Sequence, residues 1–322
     1  MAIRVLAHFQ PGDKVRKQVA EESDWLDVHW VGEDDDEALY RELPEADVIW
    51  HVLRPLSADD LAKAAKLKLV QKLGAGVNTI DVDAATTRNI AVANLPGANS
   101  QSVAEAALML MLATLRRLPQ LDRATREGRG WPADPELGDT IRDLSSCTVG
   151  LVGFGNVAKR VEQTLRQLGT EVLHTSTTRD ENNVSWVSFN ELLQKSDILS
   201  LHLPLTAATR GMIGEAELAK MKPGAILVNT ARGEIVDETA LVAALGNGQL
   251  AAAGLDVFAQ EPVSSDNPLL ALDNVILSPH VSWYTADTME RYLTGAIRNC
   301  RRLADGKSPY CVVNQTADQA AT

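Results

Sequence analysis

Gly150-Leu151-Val152-Gly153-Phe154-Gly155-Asn156-Val157-Ala158 decides how this 322-residue chain is read. The run Thr148–Val152 is short and apolar, as a buried strand is. Beyond the glycines, Val157, Val161, Leu165 and Leu168 recur at helical spacing, and Gly169 follows as a C-terminal cap. A glycine-rich turn between a strand and a helix suits a pyrophosphate. Gly153 permits the tight turn, Gly155 lets the backbone come close, and the amide N–H groups that open the helix meet the negative charge. Ala158 takes the third position of the G-x-G-x-x-G/A pattern, where a small side chain lets helix pack on strand. Gly153, Phe154, Gly155, Asn156 and Val157 are therefore expected to line a dinucleotide. Without the flanking strand and helix, the same string would be only a glycine-rich turn.

About twenty residues further on, an NAD site ends its second strand with a carboxylate that holds the ribose 2′-hydroxyl. Here the segment reads Val172-Leu173-His174-Thr175-Ser176-Thr177-Thr178-Arg179, with hydroxyls and an arginine where the carboxylate belongs. A carboxylate repels a 2′-phosphate, whereas Ser176, Thr177, Thr178 and Arg179 offer neutral and charge-assisted hydrogen bonds to one. The reading favours NADP, and NAD held through Ser176 is the alternative.

Outward from this turn, strand-like runs alternate with helical segments in two series. The first has strands at Ile3–His8, Val48–Leu53 and Leu69–Leu73 and a helix over Ser57–Lys66. The second has strands at Thr148–Val152, Val172–Thr175, Ile198–Leu203, Ala225–Asn229, Ala253–Asp256 and Val275–Leu277. Between them, Asn99-Ser100 caps a helix over Val103–Leu115 that is apolar on nearly every side, as expected of one buried between domains or subunits. Gly128–Asp139 reads as a loop, and a long helix near Ala286–Leu303 leads to a polar tail expected to return to the first series. Such alternation predicts parallel sheets covered by helices. The expected organisation is α/β: a Rossmann-type doubly wound cofactor domain, 98–284, inserted in a smaller flavodoxin-like domain built from 1–97 and 285–322, with the substrate in the cleft between them.

Composition removes several other classes. With 45% hydrophobic and 23% charged residues, the chain is ordinary globular material. Its formal charge of -12 and the acidic run Glu33–Glu37, read as a surface turn, argue against nucleic acid as a partner. The longest apolar stretch, Val103–Leu115, contains Glu105 and ends at Arg116-Arg117, too short and too polar to span a bilayer. Met1–Phe9 reads as a strand rather than a secretory signal, so a cytoplasmic protein is expected. Cys147, Cys300 and Cys311 are too scattered for a disulfide framework or a metal site and read as reduced structural thiols.

Three later segments each place a functional side chain just past a strand, where ligands bind in an open α/β sheet. They are Asn229-Thr230-Ala231-Arg232-Gly233, Gly254-Leu255-Asp256-Val257-Phe258-Ala259-Gln260-Glu261-Pro262 and Ser278-Pro279-His280. With Leu201-His202-Leu203-Pro204-Leu205-Thr206 and Val103-Ala104-Glu105, they resemble the D-isomer-specific 2-hydroxyacid dehydrogenase family. The likeness runs from Leu67-Lys68-Leu69 through Pro279-His280. It implies that Arg232, Glu261 and His280 are catalytic, and the chemistry agrees. Reducing a 2-keto acid needs a cation that grips the carboxylate and polarises the ketone, and an acid that protonates the developing alkoxide. Arg232 is always charged and pairs bidentately with carboxylates. His280 can be an acid in reduction and a base in oxidation, and Glu261 would orient the imidazole and favour its protonated form. Taken singly, each would more often be a surface ion-pair residue.

The resemblance also implies that Asp256 bonds the nicotinamide amide, that Leu203, Pro204, Thr209, Thr230 and Ala231 line the cofactor, and that backbone N–H groups at Ala75 and Gly76 hold the substrate carboxylate. Leu53 and Arg54 sit at a strand end facing the cleft. Arg54 either selects a second anionic or polar group or is a solvated surface arginine. His202 reads as structural. Trp131 either reaches a neighbouring subunit's active site or packs in its own arm, and with the helix Val103–Leu115 it suggests a homodimer. The chain departs from the family at Asn78, where Asp is frequent, and in the bulky Val281-Ser282-Trp283-Tyr284, which is read as reshaping the substrate pocket. Relatives acting on formate carry Gln at the position of Glu261, and phosphite-oxidising relatives carry Lys at that of Ala75; neither is present. The expectation is a metal-free oxidoreductase moving a hydride between NADP(H) or NAD(H) and a small 2-keto or 2-hydroxy acid, similar to glyoxylate and hydroxypyruvate reductases. A nucleotide-sensing binding protein on the same fold is the alternative.

Overall fold

The computed structural model describes residues 2–131, 135–178 and 185–315. The chain divides into two compact units, one of residues 1–99 with 284–322, the other of residues 100–283. The expected boundaries, after 97 and 284, thus move to Asn99 and Trp283. Ser100 opens a helix whose buried residues Ala104, Ala107, Leu110, Met111 and Leu115 belong to a core of the second unit, which carries the boundary with it.

In the first unit, β1 (Ile3–His8), β2 (Leu26–Val31), β3 (Val48–His51), β4 (Leu69–Lys72) and β5 (Ala91–Ala93) form one parallel sheet in the order β2-β1-β3-β4-β5. Leu6, Ile49, Val70 and Val92 face a core with Leu39, Leu61 and Ile90. Each such fully buried side chain contributes about 1.5–3 kcal/mol relative to exposure. The register sets His8 beside His51 and His51 beside Lys72, so these three end the apolar row on that same face. On the helix Ala286–Ala304, Tyr292, Leu293, Ala296 and Cys300 are buried, and Asn299 donates to Gln71 Oε1 at 2.6 Å. The tail does return to this unit: Val312 bridges Ala93 antiparallel, and Asn314 Oδ1 accepts from Val92 N at 2.8 Å.

The second unit holds β6 (Thr148–Val152), β7 (Glu171–Thr175), β8 (Ile198–Leu201), β9 (Ala225–Asn229), β10 (Leu250–Leu255) and β11 (Val275–Leu277), parallel and ordered β11-β10-β9-β8-β6-β7. The strand order reverses at β6, whose neighbours are β7 and β8, and an open sheet binds ligands at such a switch point. The stripe on the helix after β6 is narrower than expected, because Leu168 is exposed while Val161 and Leu165 are buried. The helix Ser100–Leu115 is apolar all round but buried on one side only; Met109 and Leu112 remain exposed. The stretch Gly128–Asp139, expected as a loop, contains a helix that begins at Pro135 and runs to Thr140. Proline is tolerated in a first helical turn, where its missing N–H has no intrahelical acceptor.

Candidate active site

The glycine turn is built as its spacing requires. Gly153 has φ of 90°, and a Cβ there would meet the His202 carbonyl oxygen at 2.4 Å, so both backbone and packing demand glycine. Gly155, the N-cap of the helix Asn156–Gln167, has nothing within 4 Å of its Cβ position. Space is open exactly where a pyrophosphate would approach the unpaired amides of the first helical turn. Phe154 stacks on His174 with centroids 3.7 Å apart, an arrangement the sequence reading did not foresee.

Beyond β7, the Ser176 hydroxyl donates to Thr178 O at 2.7 Å, and Thr177 and Thr178 are exposed. Arg179 lies outside the described residues. Thr209 Oγ1 donates to Pro204 O at 2.7 Å and accepts from Thr206 N at 2.8 Å, closing the loop that starts at the half-buried Leu203. Thr230 is buried, and its hydroxyl has no hydrogen-bond partner among the described residues, while the neighbouring Ala231 packs against the core. A buried orphan hydroxyl and a glycine cradle suit a bound dinucleotide in this unit.

Past β9, Asn229 organises the backbone at Arg232. Its Oδ1 accepts from Ala231 N at 3.0 Å, and its Nδ2 donates to Arg232 O at 2.8 Å. Asparagine at a strand end, able to bond its own backbone two residues on, was the available signal for this role. Gly233 then lies against the Phe258–Ala259 backbone; a Cβ would fall 1.9 Å from Phe258 C, so only glycine brings the two segments together. Phe258 N donates to Glu261 Oε1 at 3.0 Å, and Glu261 Oε2 meets His280 Nδ1 at 2.6 Å. Burial pushes the Glu261 carboxyl up. The His280 bond, the Phe258 amide and nearby Arg232 outweigh it and hold the carboxyl below its ordinary value. With Nδ1 committed to Glu261, Nε2 is the ring nitrogen left for proton exchange.

His280 has φ of 55°, unusual for a side chain with Cβ. Its N–H donates to Asp256 O at 2.7 Å, and the Trp283 indole donates to its carbonyl at 2.9 Å. The buried Asp256 carboxylate accepts from Ser278 Oγ (2.6 Å), Val281 N (2.9 Å) and Ser282 N (2.9 Å). The residue matched by resemblance to the nicotinamide amide therefore shapes the loop that carries His280. Trp283 is half-buried rather than sunk in a packed core, and Tyr284 is exposed. His202 bonds Ser200 Oγ at 3.0 Å, and burial pushes its imidazole down to about 4, which keeps it neutral.

In the first unit, the carbonyls of Gly74 and Ala75 accept from Leu95 N (2.8 Å) and Asn94 Nδ2 (2.7 Å), which fixes the Leu73–Val77 turn. Leu53 and Arg54 follow β3 with their N–H groups on Glu33. Arg54 is no solvated surface arginine: its guanidinium donates to Asp36 at 2.7 Å and Asp60 at 3.3 Å. The acidic run lies at the surface as expected, with Asp34–Glu37 exposed, and from it Glu33 and Asp36 bond this strand end. Trp131 is 86% exposed. Among the described residues, no group of three His, Cys, Asp or Glu is placed to hold a metal ion, and no helix is long and apolar enough to cross a membrane.

Residues 108–282 match the D-isomer specific 2-hydroxyacid dehydrogenase, NAD binding domain. The glyoxylate reductase of Korarchaeum cryptofilum is 39% identical over 269 residues, 81% of this chain and 80% of that protein. The D-3-phosphoglycerate dehydrogenase of Archaeoglobus fulgidus is 42% identical over 259 residues, 78% of this chain and 48% of that protein, so the match spans about half of this relative. The NAD-dependent formate dehydrogenase from Staphylococcus aureus, solved in complex with NAD, is similar with a TM-score of 0.89 and 27% identity, over 98% of this chain and 100% of that one.

Proposed function

The chain belongs to the D-isomer-specific 2-hydroxyacid dehydrogenase family, and we propose that it is a cytoplasmic, homodimeric reductase of small 2-keto acids that prefers NADPH to NADH. Glyoxylate and hydroxypyruvate are the first candidates. The observation that carries the reading is the Glu261–His280 pair at 2.6 Å with Arg232 near enough to act on the same carboxylate. When bound, the reduced nicotinamide supplies the hydride. Gly153, Gly155, Asn156, Val157, Thr230 and Ala231 would hold that cofactor. The guanidinium of Arg232 grips the substrate carboxylate and polarises the ketone. His280 Nε2 gives its proton to the carbonyl oxygen, and Glu261 keeps the imidazole oriented and stabilises its charge.

No carboxylate stands at the end of β7, His174–Thr175, or at Ser176–Thr178, which supports the NADPH preference. Met109, Leu112, Leu118 and Trp131 are large apolar side chains exposed within one stretch of the chain, which supports a covering second subunit. The test is oxidation of NADPH and NADH by the purified protein with glyoxylate, hydroxypyruvate, pyruvate and phenylpyruvate. Turnover with NADPH preferred is expected. A clear NADH preference overturns the 2′-phosphate assignment, and cofactor binding without any turnover favours the nucleotide-sensing alternative. Sedimentation as a monomer removes the homodimer.

A further inference from the structure

At the carboxyl edge of the first unit's sheet, side chains from three places satisfy one short segment, Val52–Arg54. Glu33, just past β2, accepts through Oε1 from Leu53 N at 2.6 Å and from Arg54 N at 2.7 Å. His51, the last residue of β3, is bonded through Nε2 to the Arg54 carbonyl at 2.8 Å, so that nitrogen carries the proton. Its Nδ1 then accepts from Lys72 Nζ at 3.4 Å, and Lys72 also donates to the Val52 carbonyl. Burial and the adjacent ammonium hold His51 well below the ordinary imidazole range, consistent with a neutral ring between one donor and one acceptor. The Arg54 guanidinium is taken up by Asp36 and Asp60.

Two consecutive N–H groups converging on one oxygen at the carboxyl end of a parallel strand make an anion-binding concavity. Here the protein fills it with its own carboxylate. Glu33 has no ion-pair partner among the described residues; of the two cations at this segment, Arg54 is offset by two carboxylates, and Lys72 is directed at the Val52 carbonyl and His51.

We propose that Glu33 determines substrate specificity: its carboxylate occupies the anion position at Leu53 and Arg54, so the enzyme accepts 2-keto acids with one negative charge and refuses those bearing a second carboxylate or a phosphate. This rests on the reading that Leu53 and Arg54 line the substrate. A second anionic group would find its hydrogen-bond donors occupied and a like charge in place, and like-charge juxtaposition suppresses the wrong partner.

The test compares kcat/KM for glyoxylate and hydroxypyruvate with that for oxaloacetate and 3-phosphohydroxypyruvate. Glu33→Gln keeps an oxygen for the two N–H groups and removes the charge. The parent should favour the singly charged acids by about a hundredfold, and Glu33→Gln should narrow that ratio by about tenfold, chiefly through KM for the more highly charged acids. Asp36→Asn, at an exposed position, should move the ratio the same way by less, and it carries the test if Glu33→Gln fails to fold. Equal turnover of both classes by the parent, or an unchanged ratio in the folded variants, overturns the inference and leaves the dehydrogenase reading standing. No turnover of any acid removes that reading, and the inference with it.

Discussion

The two units carry parallel sheets whose first five strands are arranged alike, 2-1-3-4-5 in each unit's own count, and both carboxyl edges are crowded with polar side chains. The edges use those groups differently. In the second unit, Asp256 and Asn229 spend their side chains mainly on backbone, fixing the loops at Arg232 and His280, while His280 pairs with Glu261. In the first, Glu33, His51 and Lys72 are themselves the braces, and Arg54 is held by two carboxylates. At both edges most buried polar groups find partners; among the described residues the ring of His8 in the first and the hydroxyl of Thr230 in the second are exceptions. What differs is whether backbone or reactive side chain does the satisfying. A histidine at a strand end is a reagent or a brace according to that choice, and residue type alone does not decide it.

The sharpest way to break this distinction is to remove one histidine from each edge. His280→Gln takes away the proton donor, and kcat/KM should fall by about a hundredfold to ten-thousandfold with the melting temperature nearly unchanged. His51→Gln should act mainly on stability, because it leaves the Lys72 ammonium and the Arg54 carbonyl without their buried partner. Steady-state kinetics and thermal melting of the two variants decide it. Equal kinetic losses would erase the difference between reagent and brace.

A smaller loss is expected from Asp256→Asn. One carboxylate oxygen becomes an NH2 group facing a donor, either Ser282 N or the Ser278–Val281 pair. The left-handed His280 then loses part of what fixes it, and displacement of a catalytic group by a fraction of an ångström is costly. The expected fall in kcat is about tenfold to a hundredfold with KM little changed. A change confined to KM would mean that Asp256 serves binding rather than the posture of the loop.

Local signals explain what could be read early. Gly153, Gly155 and Ala158 lie within six residues of one another, and Arg232, Glu261 and His280 each follow an apolar run. Less local features were missed. β2 is an edge strand paired only with β1, and Asp27 and His29 interrupt its apolar pattern because part of it faces away from the core. β5 has three residues, too few for a period to register. Helical spacing was overread at Leu168, the last turn before Gly169, where the chain has already left the core. The Glu33 bonds join residues 20 and 21 positions apart, and Asp256 meets its loop 22 to 26 positions on; such pairs exist only once the strands are side by side.

The mildest effect concerns the second unit's own brace. His202 is neutral because burial lowers its imidazole from 6.5 to about 4. Between those values the unfolded chain binds a proton that the folded chain refuses, so this residue makes the fold less stable as pH falls from about 6.5 toward 4 and contributes no slope above that window. His202→Gln removes that proton uptake. Melting temperatures of parent and variant should keep a constant difference above pH 7, and the difference should shift in the variant's favour by on the order of a few degrees toward pH 4.5. A constant difference across the whole range would mean that the ring is protonated as readily folded as unfolded, and the second edge would then have no neutral brace to set beside His51.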